Sequence, residues 1–126
     1  MIIEAPISLG ELVDKITILK IKTRNISDPL KLENVRKELK QLISVLSNAK
    51  IPDIYFEFQS LENINAELWD IEDKIRIKES KKEFDQEFIK LARSVYVTND
   101  KRAKVKKEIN LKVGSDLVEE KSYEQY

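Results

Sequence analysis

The sequence contains no cysteine and no histidine among its 126 residues. Without cysteine the chain forms no disulfide and has no thiol nucleophile, and without histidine it has no Ser–His nucleophile system. The two absences also remove most transition-metal sites, because these depend on thiolate and imidazole ligands. Catalysis would have to use carboxylate, amine, guanidinium or hydroxyl groups, or a hard cation such as magnesium. We predict no cofactor.

Proline and glycine are also scarce, and neither sign of charge is in excess. Three prolines, two glycines and a charged fraction of 37% describe long regular elements with few turns. The 23 basic side chains are balanced by 23 acidic ones, so we expect neither nucleic acid nor an anionic membrane as a partner. No segment approaches the ~20 apolar residues that span a bilayer, and the N-terminus lacks a basic leader followed by an apolar run. We therefore predict a soluble, cytoplasmic protein.

Capping signals divide the chain into helices. Ser8 and Glu11 have the spacing of a capping box and predict a first helix that runs to about residue 25, after an extended start at residues 2–7. Asp28 followed by Pro29 predicts a second helix to about residue 48, because the first helical position needs no backbone N–H. Apolar residues surround most of the first helix, so it should be covered on more than one side.

Two longer helices follow. Apolar residues at steps of three and four predict a third helix from about residue 54 to residue 79, and Asp85 is placed to cap a fourth that ends at Gly114. Residues 97–100 are poor helix formers, which favours a break, whereas the apolar register runs through them without a slip, which favours continuity. We expect one helix with at most a local distortion there.

These elements predict an all-α fold with a single domain, residues 1–126. We expect an antiparallel bundle of four to five helices with a long helical hairpin, a short non-helical N-terminus and a C-terminal tail. The third and fourth helices are each ~40 Å long at 1.5 Å per residue, so they are longer than the first two helices. Their uncovered apolar stripe predicts a coiled-coil-like homodimer. The tail to about Tyr123 is expected to dock on the bundle, with a strand pair beside Ile2 and Ile3 as one arrangement.

Four segments of the chain resemble a small family of bacterial and phage proteins known as a domain of unknown function. They are residues 6–19 (PISLGELVDKITIL), 68–73 (LWDIED), 91–100 (LARSVYVTND) and 119–123 (EEKSY). The resemblance covers nearly the entire chain, and it implies that the interruption at residues 98–100 is a shared feature. Members of the family are sometimes attached to, or encoded beside, proteins of cell-surface polysaccharide synthesis, which gives a context but assigns no activity.

Polar residues interrupt one packed row on the fourth helix. The row consists of Phe84, Phe88, Leu91, Val95, Thr98, Arg102, Val105 and Ile109. Burial of Arg102 is costly unless its charge is paired. One interpretation is an ion pair with Glu72, which lies in the apolar row of the third helix. Such a pair would fix the helix register or the pairing of two copies. The other interpretation is an anion pocket, since arginine forks bind phosphate and carboxylate bidentately. Its members would be Arg93, Asn99, Arg102 and Lys106.

Other residues give weaker signals. We predict no metal site; the weak candidates are Glu67 and Asp70, at a spacing by which helical nucleotide pyrophosphatases hold magnesium, but acidic helix positions are usually a solvated face. Trp69 is either a packing residue or a stacking platform for a sugar or base. Tyr96 continues a core row, so its ring should be buried with only the hydroxyl free to act. Asp14 is expected to form surface ion pairs on the first helix.

Two functions of different class remain. The prediction is a homodimeric protein-interaction or scaffold module, which suits the even charge, the long apolar rows and the missing catalytic residues, and which would also be able to hold another protein. The alternative is a small enzyme or binding protein for an anionic metabolite, with an Arg/Lys/Glu cluster between helices providing the electrostatics. Whether the chain is an enzyme stays open. The candidates for a partner surface or pocket are Trp69, Glu72 and Tyr96.

Overall fold

The computed structural model describes residues 1–126 and contains four α-helices and no strands. The helices are α1 (Leu9–Asn25), α2 (Pro29–Asn48), α3 (Tyr55–Ser80) and α4 (Gln86–Val113). The all-α fold class is confirmed, with four helices and bounds close to those expected from the capping signals. None of the four helices has the length and apolar character that a membrane crossing requires.

Side chains cap three of the four helix starts. Ser8 accepts a hydrogen bond from the backbone N–H of Glu11 at 3.2 Å, Asp28 accepts two at the start of α2, and Asp85 accepts one from Phe88 at 3.0 Å. These bonds satisfy N–H groups that have no partner within the helix. Only half of the expected capping box forms at α1, because the Glu11 carboxylate turns to Lys106 instead.

Helix α4 is continuous through residues 98–100. The unbroken apolar register therefore outweighs the low helix propensity of that segment, as packing commonly does. Thr98 lies inside the protein with 2% of its surface exposed. The helix ends at Gly114, whose φ of +65° is the left-handed conformation typical of a C-terminal cap.

The core lies where α1 crosses a hairpin formed by α3 and α4. The hairpin is antiparallel, and Glu57 near its open end pairs with Lys112 at 2.8 Å. Helix α1 packs against the other three helices, whereas α2 packs against α1 alone and has no buried residue. With 17 residues α1 is ~25 Å long, so it covers only part of the ~40 Å hairpin. The central apolar cluster is Val13, Ile54, Leu61, Val105 and Ile109.

Neither end of the chain is helical, as expected, but the ends do not pair as strands. Ile2 and Ile3 are 73% and 80% exposed, and the expected strand pair beside them is wrong. The tail, residues 115–126, instead lies along α4 and contacts it through side chains. Its contacts include an ion pair from Glu119 and a hydrogen bond from the Tyr126 hydroxyl to Asp100.

Candidate functional site

A carboxylate is buried at the point where α1 crosses α4. Asp14 has 1% of its surface exposed, and Arg102 binds it through two nitrogens on one edge of its guanidinium group. The Arg102 Nε donates to Asp14 Oδ1 at 2.9 Å, and Nη2 donates to Oδ2 at 2.5 Å. Asp14, through this bond and its charge, raises the pKa of Arg102 despite partial burial. This bidentate pair holds the guanidinium in one orientation.

Helix α3 completes the environment of Asp14. The Asn65 amide donates to Asp14 Oδ1 and to the Thr17 hydroxyl, both at 2.9 Å, and that hydroxyl donates to the Asp14 carbonyl at 2.9 Å. All three side chains are buried. A buried carboxylate is tolerated when its oxygens are hydrogen-bonded in this way. The network therefore joins α1, α3 and α4 at one place, which we name the crossing.

One turn further along α4, Lys106 is surrounded by carboxylates. Its side chain is 10% exposed, and its ammonium donates to Glu11 at 2.9 Å and to Glu119 at 2.8 Å. Asp14 lies 3.8 Å away. Burial acts to lower the pKa of Lys106, but the hydrogen bonds with Glu11 and Glu119 outweigh it and raise the pKa. The ammonium is thus kept charged in a largely buried position.

The tail supplies one of these carboxylates. Lys106, and then Lys121 at 3.1 Å, lower the pKa of Glu119 to about 2. Weaker contacts follow along α4: Glu120 lies 3.5 Å from Lys107, and the ring of Tyr126 meets the ring of Tyr96 edge-on at 5.2 Å between centroids. The tail is therefore placed over the Lys106 end of the crossing.

Close approach of α1 and α4 depends on Gly10. Its backbone N–H donates to Asn110 Oδ1 at 2.7 Å, so a side chain of α4 accepts the hydrogen bond of an N–H group that has no partner within α1. A Cβ at Gly10 would lie 2.5 Å from the Lys106 carbonyl oxygen and 2.9 Å from Asn110 Oδ1. Glycine is therefore required here by space, and it places Glu11 and Asp14 within reach of the α4 cations.

A pocket of about 390 Å³ opens beside these groups, and we name it the seam pocket. The outer part of Arg102 lies along it, with 29% of that side chain exposed and Nη1 3.4 Å from Asn99 Oδ1. A larger groove of about 1140 Å³ continues between α4 and the tail. The lining of the seam pocket is Glu11, Asn99, Arg102, Ala103, Lys106, Glu119 and Lys121.

The sequence model of a family of unknown function, DUF6165, matches residues 2–126. The chain belongs to this family. No curated protein and no solved structure matches it. Three of the four segments that resemble a domain of unknown function meet at the seam pocket. Residues 6–19 supply Glu11, and also Asp14 behind Arg102; residues 91–100 supply Asn99; and residues 119–123 supply Glu119 and Lys121.

The structure brings together three of the four predicted anion-binding residues. Asn99, Arg102 and Lys106 share the seam pocket. Arg93 does not join them: it lies in a separate depression of about 360 Å³. The reason is helical geometry, because the steps from residue 93 to residues 99, 102 and 106 do not keep one face. The expected convergence of Arg93 is therefore wrong.

Glu72 is not the partner of Arg102. It forms an exposed pair with Arg76 on its own helix at 3.2 Å, whereas Asp14 holds Arg102. The prediction of surface ion pairs for Asp14 is wrong for the same reason. Because α1 is enclosed by three other helices, its charged residues do not all reach solvent.

The weaker candidates lie away from the pocket. Asp70 pairs with Lys74 at 2.8 Å, Glu67 borders the depression that contains Arg93, and no group of three or more carboxylates is placed to hold a metal ion. Trp69 is half-buried. Tyr96 is 44% exposed, so the expectation that its ring lies in the core is wrong. It borders the groove beneath the tail instead.

Sequence reasoning missed most acidic and amide members of the site. The signals were present: a helix that is apolar around most of its circumference must bury some of its polar residues, and a glycine in its first turn indicates a close neighbour. The pairings themselves join residues far apart in the chain and leave no local pattern. The missed residues are Glu11, Asp14, Asn65, Asn110, Glu119 and Lys121.

Proposed function

We propose that this protein binds a small anionic molecule in the seam pocket, with Arg102 and Lys106 as its principal cationic contacts. One observation carries the proposal: the pocket already holds a carboxylate, that of Glu119, against the buried ammonium of Lys106 at 2.8 Å. Clustered ionisable groups with perturbed pKa values beside a concave pocket are typical of binding sites. An anionic carboxylate or phosphate group would use the same donors.

Arg102 is suited to such a ligand because its geometry is set before binding. Asp14 engages Nε and Nη2, which leaves the Nη1 side of the fork toward Asn99 and the pocket. A fixed fork loses little conformational freedom when a ligand arrives. Lys106 and Lys121 lie along the same wall. The mixed charge of the wall, with Glu11 and Glu119 present, favours a ligand that carries hydroxyl or amine groups besides its anion.

Binding can be tested by calorimetry and thermal unfolding with inorganic phosphate, glutarate and citrate at fixed ionic strength. A ligand at ten times its Kd stabilises the folded state by about 1.4 kcal/mol. We expect Arg102→Lys, which keeps the charge but loses the fork, to weaken binding about tenfold. Lys101→Ala is the matched control, because Lys101 lies on α4 but borders the other depression. Equal responses of wild type and Arg102→Lys would contradict the proposal.

We also propose self-association as a second function, through the end of the hairpin that α1 does not cover. Ile77, Phe84 and Ile89 surround the α3–α4 turn and are 53%, 56% and 48% exposed. Exposed apolar groups clustered at one end favour an interface, and a net charge of zero does not oppose pairing of two copies.

Sedimentation velocity at several concentrations tests this second proposal. We expect a dimer whose dissociation constant rises on Phe84→Asp. Phe56→Asp is the control, since Phe56 is 81% exposed at the opposite end of the hairpin. A monomer of 14.8 kDa at all concentrations would exclude the dimer.

A further inference from the structure

The tail that covers the seam pocket is held less firmly than the crossing beneath it. The side chains of Glu119 and Glu120 are 41% and 75% exposed, and Tyr126 is 77% exposed. The contacts of these residues with α4 are ion pairs, one hydrogen bond and one ring edge. The Glu119–Lys106 pair is partly buried, whereas the other contacts are exposed and contribute little stability each. The tail is therefore the part of the site that separates most readily.

Lys106 limits what else can enter the pocket. Its ammonium has three N–H donors, and two of them are used by Glu11 and Glu119, with Asp14 at 3.8 Å from the nitrogen. Three carboxylates surround this ammonium and only 10% of the side chain is exposed, so an incoming anion finds room at Lys106 where one of them leaves. Glu11 belongs to α1 and Asp14 is held by Arg102, whereas Glu119 belongs to the non-helical tail. Glu119 is thus the carboxylate that can leave.

We propose that Glu119 is an internal competitor that occupies the place of the ligand's anionic group, so that ligand binding displaces the tail. The inference rests on the proposed ligand-binding function. It also names the ligand class as a carboxylate. Arg102, Lys106 and Lys121 now face three carboxylates, those of Glu11, Asp14 and Glu119. Exchange of one carboxylate group for another preserves this balance at the three cations, because the second carboxylate of a probe such as glutarate is three methylenes away, whereas a phosphate dianion places both charges on one group.

The low pKa of Glu119, about 2, keeps this competitor ionised at neutral and mildly acidic pH. The competition is therefore constant under ordinary conditions and sets the ligand concentration at which the tail opens. The apparent Kd equals the intrinsic Kd divided by the fraction of molecules whose site is open, and removal of the competitor brings the apparent Kd down to the intrinsic value.

Glu119→Gln and Glu120→Gln form a matched pair that tests the inference. Both variants lose one tail carboxylate, but only Glu119 contacts Lys106, while Glu120 lies beside Lys107. With glutarate as the probe in calorimetry, we expect Glu119→Gln to lower the Kd about tenfold and Glu120→Gln to leave it unchanged. Glutarate should also bind Glu119→Gln more tightly than inorganic phosphate does.

NMR cross-peaks between the ring protons of Tyr96 and Tyr126, whose centroids are 5.2 Å apart, provide a readout that does not depend on affinity. Glutarate should weaken these cross-peaks in the wild type, and Glu119→Gln should show weak cross-peaks without any ligand. Equal Kd values for wild type and Glu119→Gln, with cross-peaks that stay strong, would overturn the competition and leave the proposed function standing. Weaker binding by Glu119→Gln would make Glu119 a ligand contact and also overturn it. Tighter binding of phosphate than of glutarate would overturn the ligand class.

Absence of any response to glutarate, phosphate or citrate in both proteins, together with weak Tyr96–Tyr126 cross-peaks in Glu119→Gln, would have a different meaning. The tail would then detach when its ion pair with Lys106 is lost, but the pocket would bind no anionic ligand. That result would overturn the proposed function itself, and the competition with it.

Discussion

The two halves of the α3–α4 hairpin are stabilised by different interactions. At the crossing, α1 adds buried polar groups to the hairpin, and every oxygen of Asp14 is hydrogen-bonded. Toward the α3–α4 turn the two helices meet through apolar residues such as Ile71 and Leu91, and the charged residues pair at the surface within one helix or around the turn. Buried charged groups are thus found only in the half that carries the seam pocket.

The difference indicates what the buried network adds. Apolar packing alone holds the far half of the hairpin together, so the hairpin does not need a buried ion pair to form. At the crossing, the directional bonds from Asn65 and Arg102 allow one position of α1, whereas apolar contacts would accept several. The bonds to Asp14 also orient Arg102 along the seam pocket. Variants in each half should therefore differ sharply in effect.

Arg102→Ala gives the largest expected effect. It leaves the Asp14 carboxylate, which is 1% exposed, without its charged partner, and should destabilise the protein by ~3 to 5 kcal/mol. Glu72→Ala, in the other half, breaks only an exposed pair and should cost about 0.5 kcal/mol or less. Urea unfolding measures both.

A double variant identifies the true partner of Arg102. Asp14→Leu combined with Arg102→Leu removes both charges and should recover much of the loss, whereas Glu72→Leu combined with Arg102→Leu should recover none. An Arg102→Ala protein as stable as the wild type would show that the crossing is no stronger than the far half.

The two glycines provide the next comparison. Gly10→Ala forces a Cβ to 2.5 Å from a backbone oxygen of α4 and should cost ~1 to 3 kcal/mol, because α1 must move away. Gly114→Ala meets no neighbour and only strains a left-handed backbone, at about 1 kcal/mol. Thermal unfolding ranks the two variants. A larger loss at Gly114 would mean that the contact between α1 and α4 is loose.

A smaller effect concerns pH and the tail. Because the Glu119 pKa is lowered from 4.5 to about 2 by Lys106, its ion pair stabilises the docked tail above pH 4.5, and this stabilisation is lost as pH falls toward 2. We expect the tail to detach over that range while the helices stay folded, as followed by NMR shifts of the Glu119 amide and carboxylate. Glu119→Gln should abolish the transition, and a carboxylate midpoint near 4.5 in the wild type would contradict the pairing.

The smallest effect is expected for Arg93→Ala. Arg93 is exposed and lies outside the seam pocket, so its removal should change stability by about 0.5 kcal/mol or less and leave glutarate binding unchanged. Calorimetry on this variant beside Arg102→Lys separates the two arginines. Weaker binding by Arg93→Ala would extend the site to the neighbouring depression.

Local signals were sufficient to predict the helices but not their long-range partners. Ser8, Asp28 and Asp85 mark helix starts because each side chain bonds a backbone group two or three residues away. The partner of Arg102 lies 88 residues away, so no local rule selects Asp14 over Glu72. Both are acidic, and only the three-sided enclosure of α1 decides which becomes buried.

The residues of the seam pocket also divide into those with a local sequence signal and those without one. Asn99, Arg102 and Lys106 were predicted together because steps of three and four on one helix are visible in the sequence. The contribution of the tail was not predicted, since Glu119 reaches Lys106 through a non-helical segment whose path depends on the finished fold.

The hydrogen bond between Gly10 and Asn110 has a consequence for how the chain folds. It joins residues 100 positions apart, so it closes a loop that includes most of the protein. Contacts of such long sequence separation form late, because the entropy of loop closure must be overcome first. We expect the α3–α4 hairpin to assemble before α1 is seated. During synthesis, α1 and α2 must therefore wait on the ribosome until α4 has emerged, with the apolar face of α1 exposed in the interval.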